Sequence, residues 1–337
     1  MPRHIISRTP VRISLFGGGT DYPIFYQEQP GAVMGTTINQ YTYISVKTFD
    51  SSFFDHQIRI AYSKIELIKN IEEIQHPSVR ECLKFMGIGG NLDIHIFSDL
   101  PARTGLGSSS SFTVGFLNAL YALQGKKISK QKLAEEACHV EQNLIQENVG
   151  SQDQFHAAFG GFNVIQFHAD YIQVRPLILS KEKKRMVEDH LLIFFTGMSR
   201  LASQIVKEQI DNTKNRINDS YLHKMLNMVD QAEEMILSLP LDQLPKYLGS
   251  LLHENWLLKK CLSSQITNPT VDGAYKLAMD QGAYGGKLLG AGSGGFLAFL
   301  APKERHQAIR EALCTLQEVT FRFENEGSTI VYMRDEE

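Results

Sequence analysis

The hydrophobic pattern of the chain opens on an alternation. Val11, Ile13 and Leu15 alternate with Arg12 and Ser14, the period of a strand with one apolar face, which sends Arg12 to the opposite side. Residues 41–46 and 91–98 alternate in the same way, and 31–38, 58–62 and 163–167 are further strand candidates. Elsewhere the period lengthens. Phe112, Val114, Phe116, Leu117, Leu120 and Leu123, with Ala119 and Ala122 between them, give a helix with a broad apolar face. Pro77 opens a helix over 78–85, and Ser129 caps one over 129–145. Helical periodicity fills 199–238, 244–261, 271–281 and 304–316, while 191–195, 296–300 and 329–332 read as strands. The charged run Lys181, Glu182, Lys183, Lys184, Arg185 marks a boundary, dividing a first domain at 1–180 from a second at 188–337. Strands and helices mixed in both halves, with several consecutive strands near the start, predict an α+β fold rather than a doubly wound sheet.

Three glycine-rich stretches interrupt this pattern. Pro101, Ala102, Arg103, Thr104, Gly105, Leu106, Gly107 and the four serines Ser108, Ser109, Ser110 and Ser111 run straight into the helix that carries Phe112. Glycines let a backbone approach an anion, and a helix's first turn offers unpaired N–H donors and the positive end of its dipole. The stretch reads either as a phosphate cradle or as a flexible loop before a core helix. Its hydroxyls also suit magnesium, which takes hard oxygen ligands. A P-loop is excluded here, because a serine follows Gly107 where a lysine is required. It is disfavoured at Gly286-Lys287 too, where Leu288 replaces Ser/Thr and Gln281 replaces the first glycine.

The other two stretches are Gly17, Gly18, Gly19, Thr20, Asp21 and the run from Gly285 to Gly295, which includes Gly290, Gly292 and Ser293. Asp21 is placed either to accept sugar hydroxyls or to cap a helix. Glu141 falls inside the apolar stripe of 129–145, where a carboxylate needs a partner or a cation. Asp153 opens a short helix that stops at Gly160-Gly161, either as its cap or as a carboxylate that accepts a hydroxyl proton.

Composition narrows the classes. The chain has 337 residues, 43% hydrophobic and 21% charged, as in globular proteins of two ordinary domains. A net charge of −3 gives no reason to expect nucleic acid or an acidic membrane surface. Cys82, Cys138, Cys261 and Cys314 lie far apart, without a CxxC pair, which fits a reducing cytoplasm rather than a zinc site or disulfide framework. The first residues lack a signal-peptide core, and a cytoplasmic protein is expected.

Together, in this order and spacing, the three glycine motifs resemble the GHMP kinase superfamily essentially end to end. Gly17-Gly18-Gly19-Thr20-Asp21, the stretch from Gly150 through Gln152-Asp153-Gln154 to Gly161-Phe162, the segment from Phe195 to Arg200 and that from Gly282 to Lys287 are similar to the bacterial kinases of D-glycero-D-manno-heptose 7-phosphate. Arg103 departs from the superfamily, many of whose members carry a small residue there.

The resemblance implies two lobes, an N-terminal mixed-sheet lobe of the ribosomal protein S5 domain 2 type and a C-terminal ferredoxin-like lobe. It implies ATP bound by Pro101 and by Thr104 through Ser111, and magnesium held by Ser109 and Glu141. Asp153 becomes the catalytic carboxylate and Arg12 its basic companion. Gly18, Gly19, Thr20, Asp21, Gly292 and Ser293 become the acceptor site. The implied reaction is transfer of the γ-phosphoryl group of ATP to a sugar hydroxyl, foremost the anomeric one of the heptose 7-phosphate. A kinase of a neutral sugar such as fucose or galactose, a GHMP-type decarboxylase and a non-catalytic sugar or ATP sensor are the alternatives. The joint presence of Arg12, Ser109, Glu141 and Asp153 speaks against the sensor. Arg103, Arg200, Lys207 and Lys287 are the cations available for a distal phosphate, and the choice among them stays open. So does a homodimer.

Overall fold

The structure, a computed structural model, describes residues 3–102, 104–197 and 202–335. Its centre is a pair of long antiparallel strands, β1 (Arg3–Gly17) and β2 (Gly31–Thr48), in register from His4 opposite Lys47 to Gly17 opposite Val33 with two irregularities. Around them stand β3 (Ile58–Ala61), β4 (Ile65–Ile68), β5 (Leu92–Ser98), β6 (Phe162–Phe167) and β7 (Ile172–Pro176). Strand β5 pairs antiparallel with β2 and parallel with β3, so the sheet is mixed.

The second sheet contains β8 (Leu191–Phe195), β9 (Gly285–Leu288), β10 (Phe296–Leu300) and β11 (Gln317–Glu318), in the antiparallel order β11-β8-β10-β9. Counted from Leu191 this is the order 4-1-3-2 expected of a ferredoxin-like lobe, with several helices between its first two strands. Together the two lobes give the α+β architecture read from the sequence.

The tail crosses the expected division at 180–188. After β11 the chain returns to the first sheet, where β12 (Phe323–Glu324) pairs with β2 and β13 (Thr329–Asp335) forms an edge beside β1. Strand 329–332 is therefore part of the N-terminal sheet. The helices Asp219–Ser238 and Leu244–Lys260 pack on each other and on β1, and the second also contacts β9. They fill the space between the sheets, with Trp256 fully buried near Leu222, Val271 and Phe299.

Local patterning set most elements, and two departures matter for the site. The alternation along β1 puts Val11, Ile13 and Leu15 in the core, but Arg12 and Ser14 on the other face are buried as well, at 4% and 7% exposure. The helices Ser108–Leu123 and Gln152–Phe159 cover that face. The helix expected over 129–145 divides into an α-helix, Lys130–His139, and a wider π turn, Val140–Leu144. Such turns interrupt a helix's regular side-chain spacing and recur at functional sites. No helix among the described residues is long and apolar enough to cross a membrane.

His156, on the helix Gln152–Phe159, is wholly buried, and neither ring nitrogen has a hydrogen-bond partner. A Cβ on Gly35 of β2 would lie 2.8 Å from its Nε2. Burial, with Arg12 nearby, holds the imidazole neutral and pushes its pKa down to about 3. The unfolded chain therefore binds this proton near pH 6.5 and the folded chain does not. Stability from this group is fully present above 6.5 and falls as pH drops toward 3, by about 1.4 kcal/mol per pH unit. Urea titrations at pH 7 and 4.5 should show a smaller acid loss in His156→Met than in the natural chain. Equal losses would mean that His156 does not titrate in this way.

Candidate active site

The glycine turn read as a candidate cradle stands at the head of the helix Ser108–Leu123. Gly105 and Gly107 take positive φ, at 86° and 75°, and Gly107 caps the helix Ser108–Leu123 without a side-chain hydrogen bond. The first-turn N–H groups are thus not occupied by a capping side chain. A Cβ on Gly107 would stand 3.1 Å from Asp153 Oδ2 and 3.4 Å from Arg12 Cγ, so glycine lets both side chains close on the turn. The third glycine motif packs backbone to backbone against the same turn. A Cβ on Gly290 would lie 2.3 Å from Gly105 Cα, and one on Gly295 would lie 2.3 Å from the Thr104 carbonyl oxygen.

Arg12 ties these parts together. Its Nε and Nη2 donate to Asp153 Oδ1 at 2.8 and 2.6 Å, and Nη1 donates to the Gly105 carbonyl at 2.7 Å. Its backbone N–H donates to the Leu106 carbonyl at 3.0 Å. Asp153 stays partly open, with its second oxygen beside the cradle.

Asp21 lies in the same cleft and is buried. Its Oδ1 accepts from Gly19 N–H at 2.9 Å and its Oδ2 from Gln152 Nε2 at 2.8 Å. Burial raises its pKa, and the Gln152 bond opposes that rise. Only a glycine fits at 150, because a Cβ there would sit 2.0 Å from Asp21 Oδ2. The cleft has a volume of about 460 Å³, and Gly18, Gly19, Ser108, Ser109, Gly292, Lys259 and Lys287 also contribute to its wall.

The four serines divide their work. Ser111 Oγ donates to the Pro10 carbonyl at 2.8 Å, and Ser110 Oγ donates to Glu141 Oε2 at 2.9 Å. Ser109 is exposed, and it is Ser110, not Ser109, that meets Glu141. Thr104 Oγ1 donates to the Pro101 carbonyl at 2.9 Å, Leu106 packs in the core and Pro101 is exposed. Among the expected acceptor residues, Thr20 and Ser293 turn inward. Thr20 Oγ1 donates to the Ala32 carbonyl at 3.0 Å, and Ser293 Oγ donates to the Gln265 carbonyl.

Glu141 sits in the π turn, fully buried. Gln154 Nε2 joins Ser110 on its Oε2, while Oε1 has no hydrogen-bond partner. A buried carboxylate oxygen without a donor, beside hydroxyl oxygens, suits a hard divalent cation. No three His, Cys, Asp or Glu side chains converge among the described residues, so such a cation would need further oxygens from water or phosphate.

Of the cations proposed for a distal phosphate, Lys287 lies in the cleft wall and Lys207 is exposed outside it. Arg103 and Arg200 fall outside the described residues. Lys259 was not anticipated. It precedes Lys260 at the end of its helix, where basic residues ordinarily complement the dipole, and nothing in the local sequence marks it as buried. Gln152 and Gln154 flank Asp153, and their side chains bond to Asp21 and Glu141 respectively.

Burial lifts the Glu141 pKa to about 7, against the hydrogen bonds from Ser110 and Gln154. The folded chain holds this proton to higher pH than the unfolded chain, whose glutamates ionise near 4.5. Its contribution is complete below that value and is lost as pH rises through 7. Without divalent cations, Glu141→Gln should therefore gain in melting temperature over the natural chain between pH 5 and pH 8. A difference that does not change with pH would contradict this placement.

Comparison with known proteins agrees with the geometry. The family model described as GHMP kinases N terminal domain matches residues 65–161, and that described as GHMP kinases C terminal matches 241–318, together just over half of the chain. The chain is 28% identical to the D-glycero-alpha-D-manno-heptose 7-phosphate kinase of Campylobacter jejuni, over 91% of this chain and 92% of that protein. It is 26% identical to the bifunctional fucokinase/GDP-fucose pyrophosphorylase of Arabidopsis thaliana, over 93% of this chain and 31% of that longer protein. The crystal structure of a D-glycero-D-manno-heptose 1-phosphate kinase from Bacteroides thetaiotaomicron shares the fold, with a TM-score of 0.77 at 22% identity over 99% of this chain and all of that one. With its cradle, its two lobes and both family domains in order, the chain belongs to the GHMP kinases, ATP-dependent phosphotransferases that act on an alcohol group.

Proposed function

We propose that this kinase transfers the γ-phosphoryl group of ATP to the anomeric hydroxyl of D-glycero-D-manno-heptose 7-phosphate, giving the 1,7-bisphosphate. The observation that carries the mechanism is the Arg12–Asp153 pair, held at 2.6 to 2.8 Å beside an uncapped helix N-terminus. Likeness along most of its length to the Campylobacter jejuni heptose 7-phosphate kinase supports the acceptor.

The first-turn N–H groups of Ser108 and Ser109, with the turn from Thr104 to Gly107, receive the β- and γ-phosphates. Gly18, Gly19, Asp21 and Gly292 line the acceptor side, where the Asp21 carboxylate takes sugar hydroxyls. Arg12 occupies one oxygen of Asp153 and leaves the other for the attacking hydroxyl. That hydroxyl oxygen forms a bond to the γ-phosphorus, and the bond from this phosphorus to the bridging oxygen of ADP breaks. The hydroxyl proton passes to Asp153, and ADP leaves. Arg12 fixes the rotamer of Asp153 and steadies the equatorial charge of the transferring group. Positioning and electrostatics supply most of such a rate enhancement. Magnesium fits the unpartnered Oε1 of Glu141 with a serine hydroxyl of the cradle, Ser109 or Ser110, and when bound it offsets phosphate charge.

A kinase of a neutral sugar is the second reading, favoured by the fucokinase relative. ADP release is to be measured with mannoheptose 7-phosphate, mannose, fucose, galactose, mevalonate and no acceptor. Turnover is expected with the heptose phosphate, and preference for a neutral hexose would overturn the acceptor. Asp153→Asn should lower kcat by about 10²–10⁴ while ATP affinity measured by calorimetry stays within a few-fold. Undiminished kcat would remove Asp153 from the mechanism.

A further inference from the structure

Two lysine side chains are buried in the cleft wall without an ion-pair partner among the described residues. Lys259, in the last turn of Leu244–Lys260, is 9% exposed, and Lys287, in β9, is 2% exposed. Lys259 Nζ donates to the carbonyls of Leu288 at 2.9 Å and Gly290 at 2.6 Å. Lys287 Nζ donates to the Leu15 carbonyl at 2.9 Å and to Asn255 Oδ1 at 3.1 Å. All four acceptors are uncharged. Among the described residues neither lysine forms an ion pair, whereas Arg12 in the same cleft is matched by Asp153. A charged lysine carries three donors, so each would gain one N–H beyond these bonds on taking up a proton. Burying two such groups near each other is costly unless a charge of opposite sign joins them.

We propose that Lys259 and Lys287 together form the receptor for a phosphomonoester on the acceptor, remote from the hydroxyl that reacts. This rests on the kinase reading above and adds the residues that select a phosphorylated sugar over a neutral one. The pair lines the same cleft as Asp21, Gly18 and Gly292, within the electrostatic reach of Asp21 and Arg12. A phosphomonoester dianion supplies the missing countercharge and accepts the two spare N–H groups. A neutral hexose offers no charge that would hold the two lysines protonated.

The receptor has a thermodynamic signature. Burial and Arg12 push the Lys259 pKa down to about 7, with Asp21 opposing them, and Lys287 is pushed well below its ordinary value by burial, Lys259 and Arg12. These are the charged groups that face the pair, from β1, the first glycine turn, β9 and the helix end. A dianion favours the charged lysines, so its binding near pH 7.5 takes up protons from solution.

Calorimetry in two buffers of different ionisation enthalpy reads this uptake directly on the natural protein. The probes are D-mannose 6-phosphate and mannoheptose 7-phosphate, with ADP as the nucleotide arm. Uptake is expected with the sugar phosphates and not with ADP. Uptake with ADP alone would assign the lysines to the nucleotide, and absence of uptake with every ligand would overturn the proposal. Lys259→Met and Lys287→Met should each weaken sugar phosphate binding roughly 30-fold or more. They should lower by a similar factor the ratio of kcat/KM for mannoheptose 7-phosphate to that for mannose. A merely destabilised protein loses both activities together and leaves that ratio unchanged. Turnover of the heptose phosphate with an unchanged ratio would defeat the lysine receptor and leave the kinase reading standing. Lack of turnover on every sugar would defeat the kinase reading while the calorimetry still reports on the lysines.

Discussion

The guanidinium of Arg12 is the interaction on which the site depends. It starts from the central strand of the first sheet, grips Asp153 at the head of one helix and holds the Gly105 carbonyl in the turn before another. Three separate elements thereby share one rigid reference. The arrangement requires Arg12 to be buried under two helices, and a buried guanidinium requires a partner carboxylate. Asp153 satisfies that requirement on one oxygen and leaves the other beside the glycine turn. The glycines follow from the same constraint, since a Cβ at 107 would crowd Arg12 and Asp153, and one at 290 would strike Gly105.

A second constraint is charge held out of water. Asp21, Glu141, Lys259 and Lys287 are all buried near one cleft, and burial moves each pKa toward the neutral form. Such groups weaken a folded chain unless ligands complete them. The natural ligands of a phosphoryl-transfer site carry phosphate charge and, with a divalent cation, supply both signs. The cost in the free protein therefore becomes selectivity in the complex. Binding of the proper ligands should stabilise the fold by mass action as well as start the reaction.

Much of this was legible in the sequence. The alternation at Val11, Ile13 and Leu15 located β1 and set Arg12 opposite them, and the small residues before Phe112 located the cradle. Local patterns do not report what covers a strand's polar face, so the burial of Arg12 and Ser14 emerged only with the helices in place. Nor do they report long-range pairing, and the return of Phe323–Glu324 and Thr329–Asp335 to the first sheet is of that kind. Glu141 stood out as a carboxylate in an apolar stripe, but the π turn shifts the spacing around it, and Ser110 rather than Ser109 meets it. Lys259 was hidden by its position, because a lysine pair at a helix end looks like solvated charge.

The central claim is that the anomeric hydroxyl of the heptose phosphate takes the γ-phosphoryl group of ATP. The most direct measurement is ³¹P NMR of the enzyme turning over ATP, magnesium and mannoheptose 7-phosphate labelled with ¹³C at the anomeric carbon. The account predicts loss of the γ-phosphate resonance and growth of a phosphoester signal coupled to the labelled carbon, together with ADP. Growth of inorganic phosphate alone, or of a phosphoester without that coupling, would contradict it.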